Sequence, residues 1–163
     1  MRKMKLLVFS DSHGNTSNMC AAVERERPDR ILHLGDMVRD AVSLAGRFPE
    51  IPLDMVPGNC DYSMELSVKK LLEAEGRRIL MTHGHIYSVK AGIGTAVLAA
   101  REAGADILLF GHTHEPLCDF YDGLWILNPG SCRGGLRPTY GVISLTEGKT
   151  YCRTAELNDG RMG

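Results

Sequence analysis

The chain carries an apolar segment that runs directly into two histidines, Asp106-Ile107-Leu108-Leu109-Phe110-Gly111-His112-Thr113-His114. A short continuous apolar run predicts a buried strand, which would end just before the first histidine. Two histidines separated by one residue at the end of a strand can turn toward one point. Gly111 lets the backbone approach that point closely. On its own this pattern is weak evidence for a metal site. Whether the two histidines are metal ligands must be judged from the rest of the chain.

Four further apolar segments end in the same way, each at a residue type that binds metals. The segments are 5–10, 30–34, 53–56 and 77–82, and the residues that follow them are Asp11, Asp36, Asn59 and His83. Asp and Asn are also common turn formers, so any one case is unremarkable. If these strands lie side by side, their loops share one rim, where open α/β sheets bind ligands.

The order of the predicted elements indicates the fold class. Helices predicted over 16–27, 38–48 and 92–103 alternate with early strands, and strands over 117–121, 124–127, 140–145 and 150–155 follow. Segment 68–73 reads as a strand, although 69–75 also fits a helix. This order predicts an α/β sandwich with mixed sheets, parallel in the first half. We expect a single domain over residues 1–163, with a core over about 4–155 and a frayed tail over 158–163.

Composition argues against several classes of protein. The formal net charge is −1 and no basic block occurs, so nucleic-acid binding is not indicated. No apolar run approaches the roughly 20 residues of a membrane span, and the apolar stretch near the start is too short for a signal peptide. The five cysteines lack Cys-x-x-Cys spacing, so we expect free thiols and a cytoplasmic location. The sequence leaves open whether the chain forms a homo-oligomer.

The candidate ligands narrow the metal chemistry. They are Asp11, His13, Asp36, Asn59, His83, His112 and His114. A mixed set of oxygen and nitrogen ligands suits Mn, Fe, Co, Ni or Zn better than Ca or Mg. Seven ligands are too many for one catalytic ion with an open position, so they suit two ions that share one aspartate. Such a centre keeps a positive net charge that attracts a phosphate group.

These motifs resemble, in order, those of the calcineurin-like metallophosphoesterases. They are Asp11-Ser12-His13, Gly35-Asp36, Gly58-Asn59, His83-Gly84-His85 and Gly111-His112-Thr113-His114. The chain length and the loop 128–131 (Asn-Pro-Gly-Ser) most resemble the small YfcE-like phosphodiesterase branch. The resemblance covers about residues 4–155.

The resemblance implies a four-layer α-β-β-α sandwich of two mixed sheets. It also implies hydrolysis of a small phosphodiester by a metal-bound hydroxide. In the ligand assignment that it implies, Asp11, His13 and His114 hold one metal, Asn59, His83 and His112 hold the other, and Asp36 bridges them. We expect Mn²⁺, with Ni²⁺, Fe²⁺, Co²⁺, Zn²⁺ or Mg²⁺ as alternatives.

The chain departs from the usual motif of the family at the residue after Gly58-Asn59. Many relatives carry a histidine there that contacts phosphate and can protonate the leaving group, whereas this chain has Cys60. A neutral thiol is a poor general acid near pH 7. Asp61 or His85 could take over part of the role, and His85 is the stronger candidate because its loop also carries a ligand. His85 could equally well orient His83.

The enzyme competes with a second function class. That class is a non-catalytic, protein-binding scaffold on the same fold. A retromer subunit that resembles this branch is such a scaffold, and it has lost some of the ligand histidines. Here all seven ligand positions carry competent residue types, which favours the enzyme. His33, inside the second predicted strand, is interpreted as a core histidine or as one that positions a metal ligand. Arg133 could touch a phosphate or could be an ordinary surface arginine.

Overall fold

The computed structural model describes residues 3–59, 61, 67–133 and 138–157. The strands are β1 (Met4–Phe9), β2 (Arg30–His33), β3 (Leu53–Met55), β4 (Lys69–Ala74), β5 (Arg77–Thr82), β6 (Ile107–Leu109), β7 (Leu117–Tyr121), β8 (Leu124–Asn128), β9 (Thr139–Thr146) and β10 (Lys149–Glu156). The helices are α1 (Thr16–Glu26), α2 (Val38–Arg47) and α3 (Gly94–Glu102), together with a short 3₁₀ helix (His85–Tyr87).

The strands form two five-stranded mixed sheets. The first sheet has the order β10-β9-β1-β2-β3, in which β1, β2 and β3 are parallel and the other pairings are antiparallel. The second has the order β4-β5-β6-β8-β7, in which β5, β6 and β8 are parallel. The prediction of mixed sheets, parallel in the first half, is confirmed. The helical alternative for 69–75 is wrong, because this segment pairs with β5.

Side chains that alternate along β1 show how the layers are built. Leu6 and Val8 pack between the two sheets, whereas Leu7 and Phe9 pack against α1 and α2. This alternation is expected for a strand that is covered on both faces. Helix α3 packs on the outer face of the second sheet through Ala96 and Ala100. The result is the expected four-layer α-β-β-α sandwich.

Contacts between the two sheets also occur at their edges. Lys70 of β4 reaches Asp54 of β3 at 2.7 Å, and Cys118 Sγ lies 3.2 Å from the carbonyl oxygen of Cys152. Cys118 and Cys152 are free thiols, as are Cys20 and Cys132.

In the described part of the chain, no helix combines the length and the apolar character needed to span a membrane.

A buried carboxylate joins α1 to the far edge of the first sheet. Glu26 accepts hydrogen bonds from the Tyr140 hydroxyl at 2.6 Å, from Arg153 at 3.1 Å and from Lys5 at 3.3 Å. Burial alone would raise the pKa of Glu26. The hydrogen bond from Tyr140 and the charges of Arg153 and Lys5 outweigh burial and hold this pKa below its usual value.

The variant Glu26→Gln should therefore be less stable at neutral pH. A lowered folded-state pKa gives stability that is full above the unfolded value of 4.5 and is lost as the pH falls through the folded value. Loss of charge-assisted hydrogen bonds should cost about 2 kcal/mol, or about 4–8 °C in Tm. Thermal melts at pH 7 and at about pH 3 should show the difference shrinking in acid. The matched control is Glu24→Gln, which removes an exposed carboxylate from the same helix. An equal difference at both pH values would contradict the argument.

Candidate metal centre

Loops from the carboxyl ends of five strands carry the predicted ligands. In the first sheet β1, β2 and β3 lead to Asp11, Asp36 and Asn59, and in the second sheet β5 and β6 lead to His83 and His112. The five strands do not all lie side by side, because β5 and β6 pair with strands of a separate sheet. The loops of the two sheets meet across the gap between them.

Asp11 connects the two sides of this arrangement. Its carboxylate is fully buried, and Oδ2 accepts hydrogen bonds from the Ser10 hydroxyl at 2.7 Å and from the backbone N–H of His112 at 3.1 Å. Asp11 Oδ1 lies 3.2 Å from His114 Nε2 and 3.8 Å from His13 Nε2. Asp11, His13 and His114 thus form one group whose ligand atoms all lie within 4.8 Å of one another.

A second group consists of Asp11, Asp36 and His83. His83 Nε2 lies 3.7 Å from Asp11 Oδ1 and 3.4 Å from Asp36 Oδ2. His83 Nδ1 lies 2.9 Å from the carbonyl oxygen of Leu34, which can only accept, so Nδ1 donates and Nε2 faces the carboxylates. Burial acts to lower the pKa of His83, but the hydrogen bond to Asp36 and the charge of Asp11 raise it overall. A positive charge is therefore favoured at this point.

His112 and Asn59 are the remaining predicted ligands. His112 Nδ1 lies 3.2 Å from His83 Nε2, and the two ring centroids are 4.9 Å apart. Burial and the nearby His83 and Lys90 lower the pKa of His112, which keeps its ring neutral and able to bind a metal. Asn59 follows β3 and is exposed. His112 therefore lies beside the second group, on the side of the second sheet.

The carboxylate of Asp36 lies between this group and the loop that carries Asn59. Its Oδ2 faces His83, as described above. Its Oδ1 lies so close to Gly58 that a Cβ at that position would collide with it. Glycine at residue 58 therefore allows the carboxylate to approach the loop.

Five of the predicted ligands have an unusual backbone conformation. Nine non-glycine residues in the described part of the chain have a positive φ. The five ligands among them are Asp11 (56°), His13 (45°), Asp36 (48°), His112 (72°) and His114 (65°). Such a conformation costs on the order of 1–3 kcal/mol per residue and concentrates at functional sites. Its concentration in these loops is typical of a functional site.

A buried hydrogen-bond chain supports the first ligand loop. The Ser12 hydroxyl donates to Asp40 Oδ2 at 2.7 Å and lies 3.1 Å from His33 Nε2. The backbone N–H of Gly35 donates to His33 Nδ1 at 3.1 Å, so His33 carries its proton on Nε2 and donates to Ser12. Burial lowers the pKa of His33 to about 4, and the ring stays neutral. His33 is thus a buried histidine that positions the loop, as the sequence suggested.

Asp61 ties two ligand loops together. Its carboxylate accepts three backbone hydrogen bonds, from Asp36 and Gly58 at 2.8 Å and from Val38 at 2.9 Å. Both of its oxygens are therefore occupied by N–H groups of the loops after β2 and β3. These contacts favour a carboxylate that positions Asp36 over one that protonates a leaving group.

His85 lies beside the ligands and begins the 3₁₀ helix, which the sequence did not predict. Its ring centroid is 5.6 Å from that of His83, and its Nδ1 is buried without a hydrogen-bond partner among the described residues. Burial and the neighbouring His83 lower the pKa of His85, so the ring is neutral near pH 7. In that state it accepts a hydrogen bond more readily than it supplies a proton. Cys60 lies outside the described residues.

Comparison with known proteins gives the same family as the motifs. Residues 4–148 match the family model of the calcineurin-like phosphoesterase superfamily domain. The chain belongs to the calcineurin-like phosphoesterase superfamily.

Two relatives place this phosphoesterase within the superfamily. The chain is 35% identical over 133 residues to the probable metallophosphoesterase YsnB of Bacillus subtilis, with 80% of this chain and 76% of that protein covered. It is 27% identical over 169 residues to the phosphodiesterase YfcE of Escherichia coli, with 86% and 87% covered. The resemblance to the YfcE-like branch is confirmed.

Two solved structures have the same architecture. A predicted phosphoesterase from Streptococcus pneumoniae aligns with a TM-score of 0.80 at 25% identity and covers 97% of this chain and 92% of that chain. Vps29 of Entamoeba histolytica, complexed with zinc, aligns with a TM-score of 0.74 at 20% identity, with 95% and 100% covered. The second similarity shows a shared fold and nothing more.

Proposed function

We propose that this phosphoesterase hydrolyses phosphodiesters with two divalent metal ions, preferentially Mn²⁺. The ligands would be Asp11, His13 and His114 for one ion, Asn59, His83 and His112 for the other, and Asp36 as the bridge. Asp11 Oδ1 is the observation that carries the proposal. This buried oxygen has no hydrogen-bond donor among the described residues, yet three imidazole nitrogens lie within 3.8 Å of it. A buried anionic oxygen is costly unless a donor or a cation completes its surroundings.

The residues present fit a metal centre of this kind. His13 Nε2 is also buried without a hydrogen-bond partner in the described part of the chain. His112 is kept neutral by its lowered pKa, and His83 points Nε2 at two carboxylates. When bound, the ions would stabilise charge on the phosphate and activate a water molecule for attack on phosphorus.

The chain's own residues would position the reaction. Asp61 holds the backbone of Asp36, and the Ser12 hydrogen-bond chain holds the loop of Asp11. The neutral ring of His85 could accept a hydrogen bond from a water molecule or a substrate hydroxyl at the edge of the centre. Each group acts by fixing geometry, which is the larger part of catalysis in phosphoryl transfer.

The substrate class follows from the family and from the residue at position 60. YfcE is named a phosphodiesterase, and the neutral thiol of Cys60 would be a poor proton donor to the leaving group. We therefore propose diesters with good leaving groups, such as aryl esters, over alkyl monoesters.

The test is hydrolysis of bis(4-nitrophenyl) phosphate by metal-reconstituted protein. We expect turnover with Mn²⁺, loss of turnover after chelation, and recovery when Mn²⁺ is returned. Elemental analysis should find two ions per chain. One ion at saturation would contradict the dinuclear centre. Absence of turnover with any of the candidate metals would favour the protein-binding scaffold.

The reaction should proceed without a covalent enzyme intermediate. The serines near the centre donate to fixed acceptors, since Ser10 and Ser131 bond to Asp11 and Ser12 bonds to Asp40. None of these three hydroxyls donates to an imidazole, which is the usual general base of a serine nucleophile. A chiral phosphorothioate diester hydrolysed in heavy-oxygen water should give inversion at phosphorus. Retention of configuration at phosphorus, or a trapped phosphoryl-enzyme, would contradict this mechanism.

A further inference from the structure

Two cavities of different character adjoin loops of the candidate metal centre. The first, the polar cavity, has a volume of about 640 Å³ and is lined by His13, Gly14, Asn15, Thr16, Ser17 and Arg133. The second, called the apolar cavity, has a volume of about 340 Å³, and five of its nine lining residues are apolar. The apolar ones are Val89, Ile93, Phe110, Pro116 and Leu117, and Thr113 is among the four polar ones. His13 is a proposed ligand, and Thr113 lies between two others. Each cavity therefore adjoins a loop that would hold a metal.

We infer that these cavities take the two arms of an asymmetric phosphodiester. The polar cavity would bind an arm that ends in an anionic group, and the apolar cavity would bind an apolar or aromatic arm. The inference rests on the proposed phosphodiesterase function, because it places the phosphate between the cavities at the metal centre.

The polar cavity suits an anion because it contains a cation and no carboxylate among its lining residues. Arg133 is exposed, and its guanidinium has no hydrogen-bond or ion-pair partner in the described part of the chain. Arginine is the residue best suited to bind phosphate or carboxylate through two parallel hydrogen bonds. A guanidinium that lines the same cavity as the proposed metal ligand His13 therefore offers a second contact for an anionic substrate.

Hydrogen bonds fix the position of Arg133 relative to the centre. Its backbone N–H donates to the Ser131 hydroxyl at 3.3 Å, and this hydroxyl donates to the carbonyl oxygen of Asp11 at 2.8 Å. The Asn18 side chain of α1 donates to the carbonyl oxygen of Cys132 at 3.0 Å. The segment before Arg133 is thus joined to the Asp11 loop and to α1.

The apolar cavity is built into the packing of the second sheet against α3. Val89 and Phe110 belong to the buried cluster under α3, and Ile93 packs against that cluster. Lys90 and Glu115 also line the cavity, where both are exposed. A cavity of about 340 Å³ lies within the range of small-molecule sites. Its apolar wall fits an aryl or alkyl group better than a charged one.

The first measurement compares two diesters that share a 4-nitrophenyl group. Their second arm is either propyl or 3-phosphonopropyl, which differ only in the terminal anion. With Mn²⁺ bound, kcat/KM should be higher for the phosphonopropyl diester by about tenfold, the effect of one charge-assisted contact. The preference should weaken with added salt.

Two variants test the cavities separately. Arg133→Met should bring the ratio of the two kcat/KM values to about one, whereas Arg47→Met, at an exposed arginine that ends α2, should keep the ratio. Leu117→Ala should lower kcat/KM for both nitrophenyl diesters by about tenfold, as expected for lost apolar contact. Val42→Ala, at an exposed apolar residue on α2, should lower neither.

Several results would overturn the inference. An unchanged ratio in Arg133→Met, or no effect of Leu117→Ala, would remove the corresponding cavity from substrate binding. Hydrolysis of both diesters by the wild type without any preference would refute the anionic arm while leaving the proposed function intact. Failure of the wild type to hydrolyse either diester would instead refute the proposed function.

Discussion

Replacement of Asp36 by asparagine is expected to abolish diester hydrolysis and to weaken the binding of both metal ions. Asp36 directs one oxygen toward His83 and the other toward Gly58, beside Asn59. An amide offers a single neutral oxygen, so it cannot bridge two cations as a carboxylate does. Loss of several kcal/mol of transition-state stabilisation corresponds to about a thousandfold in rate.

Calorimetric titration with Mn²⁺, together with kcat on bis(4-nitrophenyl) phosphate, would measure both effects. His114→Gln is the matched control, since it should weaken one ion and spare the other. Asp11→Asn is the decisive comparison, because Asp11 belongs to both groups of ligand atoms. If Asp11→Asn loses both ions while Asp36→Asn keeps one, the bridge is Asp11 and the assignment of Asp36 is wrong.

Replacement of Asp61 by asparagine should give the second largest effect. The Asp61 carboxylate receives N–H groups of Asp36, Val38 and Gly58, and an amide must present an NH₂ group to at least one of them. The two loops should then separate slightly and misplace the Asp36 carboxylate. Loss of a partner that orients a metal ligand typically costs about 10–100-fold in metal affinity or activity.

The measurement should separate positioning from acid catalysis. We expect Asp61→Asn to lower Mn²⁺ affinity and kcat while the shape of the pH–rate profile stays the same. Asp119→Asn, at an exposed aspartate on β7, should change neither quantity. Unchanged metal affinity with the loss of one limb of the pH profile would instead identify Asp61 as a general acid.

The layers of the fold could be predicted largely from local patterns. Apolar runs such as 5–10 and 106–110 identified strands because each is buried on both faces, and the family motifs supplied the four-layer arrangement. The division of β1–β3 and β5–β6 between two sheets could not be read from periodicity. It depends on pairings such as β1 with β9, which join residues more than 130 positions apart.

The sequence predicted which residues lie near one another in the candidate site, but not the hydrogen bonds that position them. The position of each predicted ligand after a strand is a local signal. The structure places Asp11, His13, Asp36, His83, His112 and His114 in one cluster of neighbouring side chains. Gly111 was expected to permit close approach, and a Cβ there would collide with Ser10. The hydrogen bonds of Ser12 with Asp40 and His33, and the three backbone hydrogen bonds to Asp61, join residues far apart in the sequence. No motif or spacing in the sequence predicts them.

The order of strands in the first sheet has a consequence for how the protein is made. β1 lies between β2 and β9, so its sheet cannot close until β9, more than 130 residues later, has left the ribosome. Asp11 and Asp36 emerge early, but His112 and His114 follow Asp11 about a hundred residues later. A nascent chain would therefore hold carboxylates without most of their imidazoles. Strands that are far apart in the sequence pair late, which makes folding slow. The candidate centre can therefore assemble only after these strands have paired.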